Sequence, residues 1–250
     1  MYKLLLLDVD GTLLKHKGDS VSPGIKQAVA EIKDRVHVSL CTGRTHHDAK
    51  QVIDDLGIVN SYHVIESGAK VLNPQGEEEN VKSISMVDIE WILTEAGSNP
   101  AGYGFCTNGI WLDSQDKIGS GLVTTVALHS HSKQQTDLIM SKLERVGDKY
   151  HIGVGSHWQI KEGAFILITN KEASKKSAIE YIQHKLAITK EETMGIGDML
   201  NDLPLFEASG LKVAMGNGVQ LLKDKADYVT PSIDDDGVTV AIHEHLLSVS

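Results

Sequence analysis

The chain has 250 residues, and 24 Lys and Arg against 34 Asp and Glu give a formal net charge of −10, the reverse of the basic surplus that a broad nucleic-acid-binding surface needs. Hydrophobic residues at 41% and charged residues at 23% mark a globular chain, not a disordered or fibrous one, long enough for one large domain or two modest ones. Two cysteines, Cys41 and Cys106, exclude a disulfide framework and show no metal-ligand spacing, so a reducing, cytoplasmic setting is expected. The apolar run Leu4–Leu7 is cut off by Asp8, too early for a signal peptide or a membrane span; neither a membrane nor a nucleic acid is an expected partner.

In chain order, Leu4–Leu7 is an unalternating apolar run ended by Asp8-Val9-Asp10-Gly11, the pattern of a strand buried on both faces of a parallel sheet. Ser22-Pro23 offers a helix cap and a first-turn proline, and Ile25, Val29 and Ile32 recur at helical spacing, so a helix is expected over about 23–35. A second strand over 36–41 leads through Thr42-Gly43-Arg44-Thr45 into a helix carrying Val52, Ile53 and Leu56. Tyr62–Glu66 reads as a third strand, and Ala69–Leu72 with Asn73-Pro74-Gln75-Gly76 as a hairpin and its turn. From Val81 the rhythm changes. A helix over 86–95, a Gly/Pro/Asn-rich break over 97–104, strands over 103–107, 122–129, 151–154 and 164–169, and a helix over 134–146 read as an inserted α+β subdomain. Then follow a helix from Ser174 to Leu186, a strand over 194–197, a helix over 198–208, a strand over 211–215, a short helix, a strand at 228–229 and a last helix over 238–247. The acidic runs Glu77–Glu79 and Asp234–Asp236 read as solvated turns.

The expected class is α/β: a Rossmann-like, doubly wound parallel sheet formed by 1–81 and 171–250, with an α+β cap inserted over 82–170. Such sheets bind ligands at the carboxyl ends of their strands, and Asp8 and Asp10, Thr42 to Arg44, and Asp198, Asn201 and Asp202 all fall there. Asp8 and Asp10 lie two residues apart and project to one side if the extended conformation persists. Two carboxylates so placed cost free energy unless they are paired or hold a metal. An isolated Asp-x-Asp-Gly is as readily a turn with a helix cap; the other clusters on the same edge favour chemistry. At Gly11 and Thr12 a backbone amide can approach an anion with no side chain in the way.

Four stretches stand out in order. They are Asp8-Val9-Asp10-Gly11-Thr12-Leu13-Leu14, then Thr42-Gly43-Arg44, then Lys175 within Ala173-Ser174-Lys175-Lys176-Ser177-Ala178, and finally Gly197-Asp198-Met199-Leu200-Asn201-Asp202. Together with the long insert between the second and the third, they resemble the four motifs of the haloacid-dehalogenase-like (HAD) hydrolases, in the Cof-like or sucrose-phosphatase-like branch with an α+β cap. The resemblance implies a phosphatase in which Asp8 attacks phosphorus to form an aspartyl-phosphate, while Asp10 protonates the leaving oxygen and then activates water. It also implies Mg²⁺ held by the Asp8 carboxylate, the Asp10 backbone carbonyl and Asp198, with Asp202 behind them. These roles suit phosphoryl transfer, which asks for in-line positioning and charge neutralisation and accepts a carboxylate nucleophile. Gly11, the Thr42 hydroxyl, the amides around Gly43, Lys175 and Asn201 are then the phosphate-binding candidates.

The chain departs from the branch at two points. Lys176 stands where glycine usually follows the motif lysine, so two lysines compete and the register with Ala178 favours Lys175; Glu66-Ser67-Gly68-Ala69 stands where N-G-A is frequent. Arg44 is a candidate for substrate binding, and has as alternatives a contact to the cap or a tie to an acidic neighbour. His46-His47 and His129-Ser130-His131 lack the i, i+4 spacing of a helical metal site and read as surface or packing residues. Trp91, Trp111 and Trp158 read first as core of the insert, and Asp234-Asp235-Asp236-Gly237 as the start of the last helix.

The expected substrate is a small phosphorylated metabolite, a phosphosugar or phosphoglycolate, with the cap closing over it to exclude water. The expected assembly is a monomer or homodimer. A phosphomutase or phosphotransferase would pass the same aspartyl-phosphate to a sugar, and phosphate release without an acceptor separates it from a phosphatase. A phospho-acceptor signalling domain shares the acidic cluster, Thr and Lys, but lacks the cap and the Asp-x-Asp-Gly-Thr nucleophile.

Overall fold

Leu4–Leu7 (β1) are all fully buried, and their alternation divides them between two apolar layers. Leu5 and Leu7 join one cluster with Ile25, Val29 and Ile32; Leu4 and Leu6 join another with Ala178, Ile179 and Ile182. The structure, a computed structural model, describes residues 1–15, 20–97, 102–143, 149–156 and 162–248. The chain separates into two units, Met1–Asn80 with Ser174–Ser250, and Val81–Ala173.

In the first unit, β1 is followed by α1 (Pro23–Ile32), whose N-cap Ser22 accepts a hydrogen bond from the Ile25 amide, then by β2 (His37–Leu40) and α2 (His46–Leu56), capped by Thr45 and ended at Gly57. β3 (His63–Ile65), β4 (Lys70–Leu72) and β5 (Glu78–Glu79) form an antiparallel sheet of their own. The third strand expected from sequence is thus not a member of the parallel sheet. It touches that sheet through the isolated bridge Cys41–Val64 and turns back at once into its hairpin. The Glu77–Glu79 run is also more than a solvated turn: Glu78 lies 2.9 Å from the ammonium of Lys70, which is fully buried and 3.3 Å from Glu66.

The second unit holds α3 (Met86–Ala96), β6 (Gly102–Thr107), β7 (Ile110–Leu112), β8 (Val123–His129), α4 (Lys133–Leu143), β9 (Tyr150–Ser156) and β10 (Ala164–Asn170). Its antiparallel sheet runs β7-β6-β8-β10-β9, with Ile89, Ile92, Ile139 and Leu143 of the helices packed on Phe105, Val126, Leu128, Ile166 and Ile168. β7 is absent from the sequence reading, although Asn108-Gly109, both at positive φ, is the turn pair that closes a tight hairpin. Trp91 packs on this core, whereas Trp111 is half-exposed, against the core reading. Trp158, residues 98–101 of the expected break and 144–146 of the expected helix lie outside the described residues.

Back in the first unit come α5 (Lys175–Leu186), β11 (Thr193–Gly197), α6 (Leu203–Glu207), β12 (Leu211–Ala214), α7 (Gln220–Lys223), β13 (Tyr228–Val229) and α8 (Gly237–Ile242). The parallel sheet runs β13-β12-β11-β1-β2, with α1, α2 and α8 on one face and α5, α6 and α7 on the other. The sequence reading of one helix over 198–208 is corrected. Asp198 and Met199 are not helical because their amides donate to the Asp202 carboxylate, a 3₁₀ turn spans Leu200–Asp202, and the helix starts at Leu203 with Pro204 in its first turn.

His63 gives this frame a pH dependence. It is buried; its Nδ1 accepts from the Leu40 amide at 3.1 Å, which leaves Nε2 to donate to the Ile58 carbonyl at 3.0 Å. Protonation would set an N–H against an N–H, and burial already pushes the imidazole down to about 4 from its ordinary 6.5. A depressed histidine pKa means that the unfolded chain binds the extra proton first, so the contribution of His63 is complete above pH 6.5 and is lost as pH falls toward 4. Over that interval the loss approaches about 3 kcal/mol. His63→Asn should remove this slope: urea unfolding of wild type and variant at matched pH is expected to show a stability difference that shrinks from pH 7 to pH 4.

Candidate active site

Asp8 directly follows β1, and Asp198 directly follows β11, its parallel neighbour. Both side chains are buried, as are Asp202 and Lys175, the first residue of α5. The Lys175 ammonium lies 2.7 Å from Asp8 Oδ1 and 2.5 Å from Asp202 Oδ1. Asp202 Oδ2 accepts the Asp198 and Met199 amides at 3.0 and 3.2 Å, so Asp202 is committed to orienting Lys175 and the Asp198 turn. Carboxylate oxygens of Asp8, Asp198 and Asp202 fall within 4.8 Å of one another. Three carboxylates against one ammonium leave two negative charges in excess in a buried place.

The electrostatics follow from that excess. Burial pushes the Asp8 carboxyl up to about 7, with Lys175 opposing and Asp202 and Asp198 adding to it. Burial, and then Asp202, push Asp198 up to about 6. Burial alone would lower Lys175, but its acidic surroundings, Asp8 foremost, hold it above its ordinary value. Hard oxygen donors crowded together and lacking positive charge suit a small divalent cation.

Gly11 shows how tightly the two loops fit. It has φ +89°, and a Cβ there would lie 2.1 Å from Asp198 Oδ2; no other residue permits this approach. Thr12 is buried, and its hydroxyl donates to Asp198 Oδ1 at 3.4 Å. Beyond β2, Thr42 is buried, its Oγ1 accepts the Arg44 amide at 3.1 Å, and its backbone is held by the Thr42 amide to the Val64 carbonyl and the Ser67 amide to the Thr42 carbonyl, both at 3.0 Å. Gly43 is exposed beside Ser67, the serine that stands in the N-G-A position.

Asp10 is placed differently from Asp8. Its carboxylate is 57% exposed and is gripped by the 10%-exposed guanidinium of Arg44, which donates from Nη2 to Oδ1 at 2.6 Å and from Nε to Oδ2 at 3.0 Å. Of the readings of Arg44, the structure shows the tie to an acidic neighbour. Lys176 lies outside the cluster, 3.5 Å from Glu207 at the surface, and Asn201 is exposed on the 3₁₀ turn. Asn217 escaped the sequence reading: its Nδ2 donates to the Gly11 carbonyl at 2.8 Å. The signal was present, since Gly216-Asn217-Gly218 follows β12 at the same sheet edge as the motifs.

A family profile described as haloacid dehalogenase-like hydrolase matches residues 5–151 and 122–242. The chain belongs to this family. As a haloacid dehalogenase-like hydrolase it has relatives along its whole length. It is 27% identical to the 5-amino-6-(5-phospho-D-ribitylamino)uracil phosphatase YcsE of Bacillus subtilis, over 98% of this chain and 96% of that protein. It is likewise 27% identical to the B. subtilis phosphatase YwpJ, over 98% of this chain and all of the relative. Among solved structures, a haloacid dehalogenase-like hydrolase from B. subtilis superposes with TM-score 0.79 at 24% identity, covering 98% of this chain and 99% of the other. The HAD subclass IIB sugar phosphatase BT4131 superposes with TM-score 0.76 at 20% identity, covering 99% and 100%. These likenesses show the fold. Among the described residues of this haloacid dehalogenase-like hydrolase, the grouping of carboxylates able to hold a metal is Asp8, Asp198 and Asp202, and no helix is long and apolar enough to cross a membrane.

Proposed function

We propose that this hydrolase is a Mg²⁺-dependent phosphatase that cleaves a small phosphomonoester, of phosphosugar type, through an aspartyl-phosphate on Asp8. The observation that carries the reading is the buried Asp8 carboxylate, with one oxygen fixed by Lys175 and Asp198 close by at the end of the neighbouring strand. With Lys175 on one oxygen, that arrangement leaves the other to attack from a rigid strand end, as in-line attack requires, and a bound cation would keep the carboxyl ionised. The ribitylamino-uracil phosphatase and the sugar phosphatase among its relatives support the substrate class.

Asp8, Asp198 and the Asp10 backbone carbonyl would hold Mg²⁺, which supplies charge neutralisation for the phosphoryl oxygens. Thr42 already accepts the Arg44 amide, so its own proton is the group it offers to a phosphate oxygen. In the first half-reaction Asp8 forms the O–P bond, the ester O–P bond breaks and the leaving oxygen takes the proton of Asp10. In the second, Asp10 takes a proton from water as that water attacks phosphorus, the aspartyl O–P bond breaks, and phosphate departs. Arg44 holds both oxygens of Asp10, one bond to each, while the carboxyl stays open to solvent, so Arg44 sets where the acid stands.

Arg44→Lys loses the two-pronged grip. It is expected to lower kcat roughly 10- to 100-fold on sugar phosphates, and less on p-nitrophenyl phosphate, whose leaving group needs little protonation. Equal losses on both would detach Arg44 from acid catalysis. The function itself is tested by kcat/KM across phosphorylated metabolites with Mg²⁺ and no sugar acceptor. Inorganic phosphate released with a clear preference for phosphosugars is the expected result; transfer that needs a second sugar would instead show a mutase or phosphotransferase.

A further inference from the structure

We propose that Asn217 is a positioning residue that fixes the Asp8–Thr12 loop against Asp198, and so sets the geometry of the cation and phosphoryl site. The inference rests on the reading of that site given above. The loop Gly216–Val219 follows β12 and is bonded to both halves of the carboxylate cluster. On one side the Asn217 side chain donates from Nδ2 to the Gly11 carbonyl at 2.8 Å. On the other, the Val219 amide donates to the Asp198 carbonyl at 2.9 Å, and Gly218 lies so close that a Cβ there would be 2.9 Å from that carbonyl oxygen and 3.2 Å from Asp198 Cα.

The remaining contacts make the loop a rigid reference. Asn217 Oδ1 accepts the Ile233 amide at 2.9 Å, the Gly216 amide donates to the Pro231 carbonyl at 3.1 Å, and the Met215 amide to the Gly197 carbonyl at 2.9 Å. Although exposed, the Asn217 side chain is thus held at both polar ends. Gly11, which it grips, is the residue whose missing Cβ allows the approach to Asp198 Oδ2, and it is bonded to Asp10, the acid, on one side and Thr12 on the other. Losing the bond to the Gly11 carbonyl leaves the Gly11–Thr12 peptide held by its own loop, through the Gly11 amide to the Leu14 carbonyl and the Thr12 amide to the Val9 carbonyl, but no longer tied to the Gly216–Val219 loop, with no loss of a charged group.

The test compares Asn217→Asp with Asn217→Ala in the full chain. Aspartate keeps the shape and the acceptor for Ile233 but sets an oxygen against the Gly11 carbonyl; alanine loses both bonds. The readouts are the dissociation constant of Mg²⁺ by calorimetry, kcat and KM, and Tm, with Gln220→Ala on the adjacent α7 as a control for local disturbance. Both Asn217 variants are expected to bind Mg²⁺ roughly 10-fold more weakly and to lose kcat by a similar factor or more, with Tm near wild type. Charge alone would make the added carboxylate tighten cation binding, so weaker binding in Asn217→Asp reports geometry. Unchanged Mg²⁺ affinity and kcat in Asn217→Asp, with losses confined to Asn217→Ala, would overturn the proposal and leave Asn217 as an anchor for the Ile233 loop. Because Mg²⁺ binding is read without substrate, a failed phosphatase reading would show as missing turnover in the wild type, separately from this outcome.

Discussion

Asp8→Asn is expected to lower kcat by at least roughly four orders of magnitude, the scale on which loss of a nucleophile acts, while the protein stays folded. Asparagine has the same shape and its Oδ1 can still accept from Lys175, but it offers no negative charge for attack. Because Asp8 is buried beside two further carboxylates, its removal also relieves charge repulsion, so the metal-free variant should unfold at the same or a higher urea concentration than wild type. The checks are single-turnover phosphate release and urea unfolding on one preparation. Loss of activity together with loss of fold would contradict the separation of the two roles. Substantial residual turnover would remove Asp8 as nucleophile.

The second large effect is expected at Lys175. Lys175→Met leaves Asp8 and Asp202 buried with no cation between them, and breaking a buried ion pair by deleting one partner costs about 3–5 kcal/mol. The sign of the pH dependence follows from Asp8: without the opposing ammonium its carboxyl, already raised by burial, rises further above the unfolded value, so the variant's stability falls as pH increases through it. It should therefore be more stable at pH 5 than at pH 8 in the absence of metal. Activity should fall by about 10²-fold or more, since the oxygen of Asp8 is no longer fixed. Lys176→Ala supplies the contrast, because its ammonium and the Glu207 carboxylate are 44% and 62% exposed; a change within about 0.5 kcal/mol is expected there. Urea midpoints at the two pH values measure both. Equal mild losses would mean that neither lysine does what the structure assigns to Lys175.

The fold class and the carboxylates that the structure gathers around Asp8 were legible in the sequence; the local course of several segments was not. Asp8, Thr42 and Asp198 could be placed at one sheet edge because each directly follows an apolar strand run, a local signal that survives folding, whereas Lys175 was reached only through the motif resemblance. The Asp198 turn could not be read as it is. Propensity after Gly197 favours a helix, but the Asp202 carboxylate takes the amides of Asp198 and Met199, four and three residues back, while it also holds the distant Lys175 ammonium, and this breaks it. β3 was misplaced for a related reason. A strand of three residues, His63-Val64-Ile65, does not say whether its partner is β2 or the returning β4, and the pairing is decided by the turn at Glu66–Gly68, where Glu66 and Ser67 both adopt positive φ. The Arg44–Asp10 grip and the Asn217 strut are tertiary contacts between loops 34 and 206 residues apart, beyond the reach of any periodicity. The −10 charge of the chain gains a local meaning in the same way, since its costly part is the buried excess around Asp8.

The central claim, double displacement through Asp8, is tested most directly by the stereochemical course at phosphorus. Hydrolysis of a substrate ester bearing a chiral, isotopically labelled thiophosphate should give inorganic thiophosphate with retained configuration, because two in-line displacements each invert the centre. Inversion would show one direct attack by water and would contradict the account.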